Sequence, residues 1–268
     1  MPKVRVNGID LHYIEAGRGD PLLLIMGFGG DHLAWAFQTP VFAQTHRVIA
    51  FDNRGAGQSD VPDVPYTTRM MADDAVGLLD ALTIERAHVI GVSMGGMIAQ
   101  ELALAHPQRV RSLQLHCTLA RRDAYMQALI ESWRVIRTQV TAEEWMRIVA
   151  LWLFSPTTYA ERPEFVEAVI QTGIANPHPF TLTGFLRQGD AVRSHDALDR
   201  LGKLAAPTLV SVADDDILVP PRFSRELAAA VPGATLKTIE RAGHCYFWER
   251  PEVFNAMCLE FLGRHAKV

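Results

Sequence analysis

Cysteine is scarce in this chain. Only Cys117, Cys245 and Cys258 occur, an odd number in 268 residues and without paired spacing. That excludes a disulfide framework and favours reduced thiols in a cytoplasmic setting. Neither His-Glu-x-x-His nor Cys-x-x-Cys is present, so the scattered histidines give no support to a metal site. Long hydrophobic runs are missing too: the stretch Leu22 to Met26 is far too short to span a bilayer, so no membrane insertion is expected. The first residues, Met1 to Gly8, lack the apolar segment of a signal peptide. There is no basic block, and the net charge of −4 is spread along the chain, which points away from nucleic acid and anionic membranes as partners.

What is present is ordinary for a globular protein, with 49% apolar and 21% charged residues. The length suits one large domain or one domain with an insertion, as a monomer or homodimer. Val4 to Val6 and Ile9 to Ala16 alternate apolar and polar around Asn7-Gly8, the signature of a hairpin. Pro21 to Met26 then runs continuously apolar, as a buried central strand does. Further strands are expected at 47–52, 89–92, 110–117, 207–213 and 234–239. Helices are expected around 33–43, 70–82, 97–105, 222–231 and 251–264. This alternation argues an α/β fold with an open, mainly parallel sheet covered on both faces. The rhythm breaks between 119 and 204. Helical segments near 125–136, 143–154, 165–172 and 181–186 replace it, with Trp133, Trp145 and Trp152 among them. The domain reading is therefore a core of 1–118 and 205–268 with a helical cap inserted at 119–204.

The stretch His88 to Gln100 organises the rest. Val89, Ile90 and Val92 read as a buried strand, and an apolar-periodic segment follows Ser93 at once. A strand that turns into a helix within one or two residues strains the corner, and Gly91, Gly95 and Gly96 remove the Cβ atoms that would collide there. Ser93 is thereby pushed out at a helix N-terminus, where its hydroxyl can act as a nucleophile. A hydroxyl needs a base to take its proton and an acid to orient that base. His244 fits the base, because it follows the last strand in Ala242-Gly243-His244-Cys245. His88 lies at the wrong end of its strand, His106 closes a helix, and His265 is near the terminus. The acid should come from Asp214-Asp215-Asp216, where three adjacent like charges cannot all be buried. Asp216 is favoured over Asp215, since the loop must clear the strand before turning inward.

The order Ser93, Asp216, His244 resembles that of the α/β-hydrolase superfamily. So do Gly91-Val92-Ser93-Met94-Gly95-Gly96, the turn Phe51-Asp52-Asn53-Arg54-Gly55-Ala56-Gly57-Gln58-Ser59, and Gly243-His244 followed by Glu249-x-Pro251. The pattern is similar to small-ester hydrolases, enol-lactonase-like proteins and C–C bond hydrolases of aromatic degradation. Two departures stand out: Met26-Gly27 replaces the usual His-Gly, and Ala213 replaces a usual Gly. The resemblance implies an eight-stranded, mostly parallel sheet flanked by helices. It also implies an oxyanion hole from the backbone N–H groups of Phe28 and Met94, and no cofactor. Gly27, Gly29, His32 and the three cap tryptophans are the expected substrate contacts, and Arg54 is expected to pair with a nearby carboxylate. The implied activity is that of a serine hydrolase on a small to medium apolar ester or lactone. C–C hydrolysis of a ring-cleavage dienone, with Arg187 and Arg193 holding its carboxylate, is the second reading, and a non-catalytic ligand receptor the third.

Overall fold

The structure is a computed structural model and describes residues 2–266. The chain opens on β1 (Lys3–Val6) and β2 (Ile9–Ala16), joined at Asn7-Gly8, both at positive φ as a tight hairpin demands. Next come β3 (Asp20–Ile25), the short helix α1 (Thr39–Phe42), β4 (His46–Phe51), α2 (Thr68–Ala81) and β5 (Ala87–Val92). Then follow α3 (Met94–Ala105) and β6 (Val110–His116). Helices α4 (Ala124–Arg137), α5 (Ala142–Leu153), α6 (Pro156–Glu161), α7 (Pro163–Ile174) and α8 (Leu182–Ser194) lie between β6 and β7 (Thr208–Ala213). The chain ends through α9 (Pro221–Ala230), β8 (Thr235–Ile239), α10 (Tyr246–Glu249) and α11 (Pro251–Arg264).

Among the described residues the strands form one eight-stranded sheet in the order β1-β2-β4-β3-β5-β6-β7-β8. The first two strands pair antiparallel, and every pairing from β4 onward in that order is parallel. The period-2 geometry of a strand sorts the apolar runs onto two faces. Leu23 and Ile25 join the core beneath α2 and α3, with Met71, Leu79 and Leu102. Leu22 and Leu24 face the opposite core, with Phe42, Phe254 and Leu262. Both faces are thus covered, and the C-terminal ends of β5, β7 and β8 lie along one edge.

Two segments depart from the sequence reading. No single helix fills 33–43. A 3-10 turn at His32–Trp35, capped by the Asp31 side chain, is followed by the four-residue α1. Leu33 and Phe37 are exposed while Gln38 is buried and donates to the Phe247 carbonyl, so the stretch has no continuous apolar face. Between β6 and β7, the six-residue α6 was not expected; it begins on Pro156, which suits a first helical position, whereas α7 contains the expected helix at 165–172. Helix α8 continues to Ser194, well past the expected end at 186.

Candidate active site

Strand β5 turns into α3 at Ser93, which takes φ 56° and ψ −122°. Such a backbone costs a serine about 1–3 kcal/mol and persists only where its surroundings fix it. The fixing contacts are visible. The Ser93 N–H donates to the His116 carbonyl at 2.9 Å, and the Thr118 hydroxyl donates to the Ser93 carbonyl at 2.7 Å. The turn is also close-packed: a Cβ on Gly91 would lie 2.4 Å from the Gly95 carbonyl oxygen, and one on Gly95 2.0 Å from that of Ile25. Only glycine allows β3, β5 and α3 to approach so closely.

At the end of β7 the three acids separate. Asp214 and Asp215 are exposed, whereas Asp216 is buried at 2% exposure. One Asp216 oxygen, Oδ1, accepts from the Leu218 and Val219 N–H groups at 3.0 and 2.8 Å. The other, Oδ2, lies 2.9 Å from Nδ1 of buried His244. A carboxylate on Nδ1 holds the ring in the tautomer whose Nε2 can accept a proton. The His244 loop is itself bolted down by the buried Glu249. Glu249 accepts from the Gly243 N–H at 2.7 Å and from the N–H and hydroxyl of Ser155 at 3.0 and 2.9 Å. The Thr158 hydroxyl is a further donor to it, and the Cys245 N–H donates to the Leu153 carbonyl. Cys117 lies near this pair. Burial, reinforced by the Asp216 charge, pushes its thiol far up, and burial does the same to Cys245. Both stay neutral.

The loop after β3 brings Gly27 against Ser93, where a Cβ at 27 would stand 2.9 Å from the Ser93 Cβ. Neither the Phe28 nor the Met94 N–H finds an acceptor among the described residues, so both donors remain available. Asn53 holds the loop by donating to the Met26 carbonyl at 2.8 Å. Asp52 holds it a second time. Its Oδ1 accepts from the backbone N–H and ring Nδ1 of His32, both at 2.7 Å, while its Oδ2 meets the Gln58 N–H at 2.8 Å and His12 Nδ1 at 3.1 Å. Burial would raise the Asp52 pKa, but these hydrogen bonds, led by His32, keep it below the ordinary carboxylate value. Burial likewise works against charge on His32, and the Asp52 bond prevails, raising its pKa. His12, His32 and Asp52 cluster their ligand-type atoms within 4.8 Å. The carboxylate's four acceptor positions are nevertheless already taken, which makes the cluster a structural bolt rather than an ion cage.

Above Ser93 opens a narrow cavity. Phe28, Met94, Trp133 and Phe185 line it, together with Leu218 and Val219, whose N–H groups hold Asp216. No ionisable side chain is among its lining residues. The apolar face of α4 supplies Met126, Leu129, Ile130 and Trp133, at the i, i+3, i+4, i+7 spacing of one helix stripe.

The fold that brings the Ser93 turn, the buried Asp216–His244 pair and the apolar cavity together is shared with known proteins. Residues 20–251 match the family model described as the alpha/beta hydrolase fold. This chain belongs to the α/β-hydrolase family. A relative from Azorhizobium caulinodans, provisionally named carbamate hydrolase RutD, is 35% identical over 98% of each chain. Among solved structures, an esterase from Thermogutta terrifontis is 28% identical, with a TM-score of 0.88 over all of both chains. The enol-lactonase from Burkholderia xenovorans LB400 is 27% identical, with a TM-score of 0.89 over 98% of this chain and 100% of its own.

Within this α/β hydrolase, Ser93 and Trp133 line the cavity, and Gly27 lies against Ser93. Gly29 sits beside the Phe180 ring, and its N–H donates to Gln188 Oε1. Trp145 and Trp152 stand one layer back, edge-on to Trp133 at centroid distances of 5.4 and 6.2 Å. His32 points to Asp52 and is not part of the cavity lining. Arg54 pairs with Asp74, as the sequence led us to expect. Arg187 is paired with Asp63 and Asp190, and Arg193 with Glu131 and Asp190, so neither is an open site for a substrate carboxylate. Sequence reasoning missed Met97, Met126, Phe185, Gly189 and Val192 as cavity residues. Helical periodicity marked the α4 face as apolar, but a stripe that borders a void looks the same in sequence as one that packs solid. Among the described residues no helix is long and apolar enough to cross a membrane.

Proposed function

We propose that this hydrolase cleaves a small to medium apolar carboxylic ester or lactone through an acyl-enzyme on Ser93. The observation that carries this reading is the buried His244–Asp216 pair, whose supporting residues Leu218 and Val219 share an uncharged cavity with Ser93. Ser93 Oγ attacks the carbonyl carbon as its proton passes to His244 Nε2. The carbonyl oxygen takes up negative charge facing the Phe28 and Met94 N–H groups. Collapse of the tetrahedral intermediate breaks the bond to the alkoxide, which leaves with the proton from His244. Water, deprotonated by His244, then attacks the acyl-enzyme, releasing the acid and restoring the Ser93 hydroxyl. Asp216 keeps the imidazole oriented and stabilises its cationic form.

In this reading residues 119–204 form a cap over a core of 1–118 and 205–268. The uncharged lining favours neutral esters and lactones over the anionic dienones of C–C hydrolysis, which need a cation in the site. Relatives named as an esterase and an enol-lactonase support the same choice. The test is a panel of p-nitrophenyl esters, lactones and one carbamate, run beside labelling with a fluorophosphonate probe. The wild-type chain is expected to hydrolyse the esters and to carry the probe on Ser93. Ser93→Ala should lose both, with kcat down about a million-fold. Folded wild-type protein without an adduct on Ser93 would overturn the proposal.

A further inference from the structure

Glycine inside a helix is costly, because it gives up backbone freedom without a side chain to pack. In most helix interiors of this protein the reason for it is plain. A Cβ at Gly77 would meet Val6 at 3.0 Å, at Gly96 Thr118 at 2.7 Å, at Gly173 Met146 at 2.3 Å and at Gly184 the Gly55 carbonyl at 2.1 Å. Gly189, in the middle of α8, is different. It is buried, its φ is not in the left-handed region, and a Cβ there would meet nothing nearer than Cε2 of Phe28 at 4.0 Å, an ordinary contact. Neither backbone conformation nor packing requires glycine at this position. The space beside it is the cavity above Ser93, which Gly189 and Phe28 both line.

From this we infer that Gly189 is a specificity-determining residue, whose missing side chain leaves room for the substrate's acyl chain beside Phe28. The inference rests on the ester-hydrolase reading above. After the first step the acyl group is tethered to Ser93 while the alcohol departs, so the uncharged recess reached from Ser93 suits the part of the substrate that stays. A methyl group at 189 narrows that recess at the ring whose own backbone N–H faces the carbonyl oxygen. Short acyl groups do not reach the added carbon, whereas longer or branched ones collide with it. One carbon in an apolar pocket discriminates about 10- to 200-fold.

The test compares wild type, Gly189→Ala and Gly189→Val on p-nitrophenyl esters from acetate to octanoate, and on acetate esters of alcohols of increasing length. For Gly189→Ala, the ratio of kcat/KM on hexanoate or octanoate to that on acetate should fall at least about tenfold. Gly189→Val should move the cut-off to a shorter chain. The alcohol series should keep its wild-type profile. Thermal unfolding of Gly189→Ala should shift upward by about 1–4 °C, since alanine favours the helix, and that shift separates lost space from lost fold. An unchanged acyl-chain profile in a folded Gly189→Ala, or a change confined to the alcohol series, overturns the assignment alone. A wild-type chain inactive on every ester overturns the esterase reading and this assignment with it.

Discussion

Ser93 holds its hydroxyl where a helix begins because its backbone is forced to φ 56° between glycines that no other residue could replace. At this scale the strained turn was legible in sequence, since the glycines, the serine and the strand before it are all local. The buried aspartate beside His244 was legible only in part. Asp214, Asp215 and Asp216 are equivalent as a string, and what separates them is the tight turn that exposes two and sends the third under Leu218 and Val219. This division gives a direct expectation. Asp216→Asn should lower kcat on a p-nitrophenyl ester by about ten-thousandfold with little change in KM, because the wrong tautomer of His244 then prevails. Asp215→Asn should stay within about twofold. Steady-state kinetics of the two variants side by side decide the assignment.

Among elements, a buried polar join ties the stretch between α5 and α6 to the His244 loop. Glu249 in α10 accepts from Gly243 on one side and from Ser155 and Thr158 on the other, so the core loop and the inserted helices share one carboxylate. Glu249→Gln turns one acceptor into a donor aimed at donors. It should cost about 2–4 kcal/mol in urea unfolding, the cost of buried polar groups left without partners, and should lower kcat as His244 loosens. An unfolding midpoint equal to wild type would show that the carboxylate is not the bolt. The sheet at this scale was readable because buried parallel strands are unbroken apolar runs. The insertion was readable only coarsely. Its proline start conceals the short α6, and the polar, glycine-containing stretch Arg187-Gln188-Gly189-Asp190 conceals the second half of α8. Gly189, which helps to blur that helix, borders the cavity, and a missing side chain leaves no sign in the sequence of the space beside it.

For the molecule as a whole, buried histidines set the response to acid. Burial lowers His88 and His195 to about 4 and His116 to about 3. Nδ1 of each ring is hydrogen-bonded to a hydroxyl, that of Ser112, Thr68 and Ser211 respectively. Unfolded, each ring takes up a proton below about pH 6.5. The unfolded state then binds more protons than the native one, so their contribution is complete above pH 6.5 and is lost as pH falls toward 4. Each ring removes up to about 1.4 kcal/mol per pH unit across that window. His32, raised by Asp52, acts in the opposite sense and offsets part of the loss. The thermal midpoint, followed by circular dichroism, should therefore be level from pH 8 to 7 and drop steadily from 6.5 to 4.5. A level profile through pH 5 would contradict this account. The inserted helices leave the sheet at β6 and return at β7, two parallel strands paired side by side. Insertions and deletions there can lengthen or shorten the segment without shifting the register of any strand, and added loop length costs little. Over generations such a segment is free to change its own length and shape while the sheet and the Ser93 turn are inherited intact.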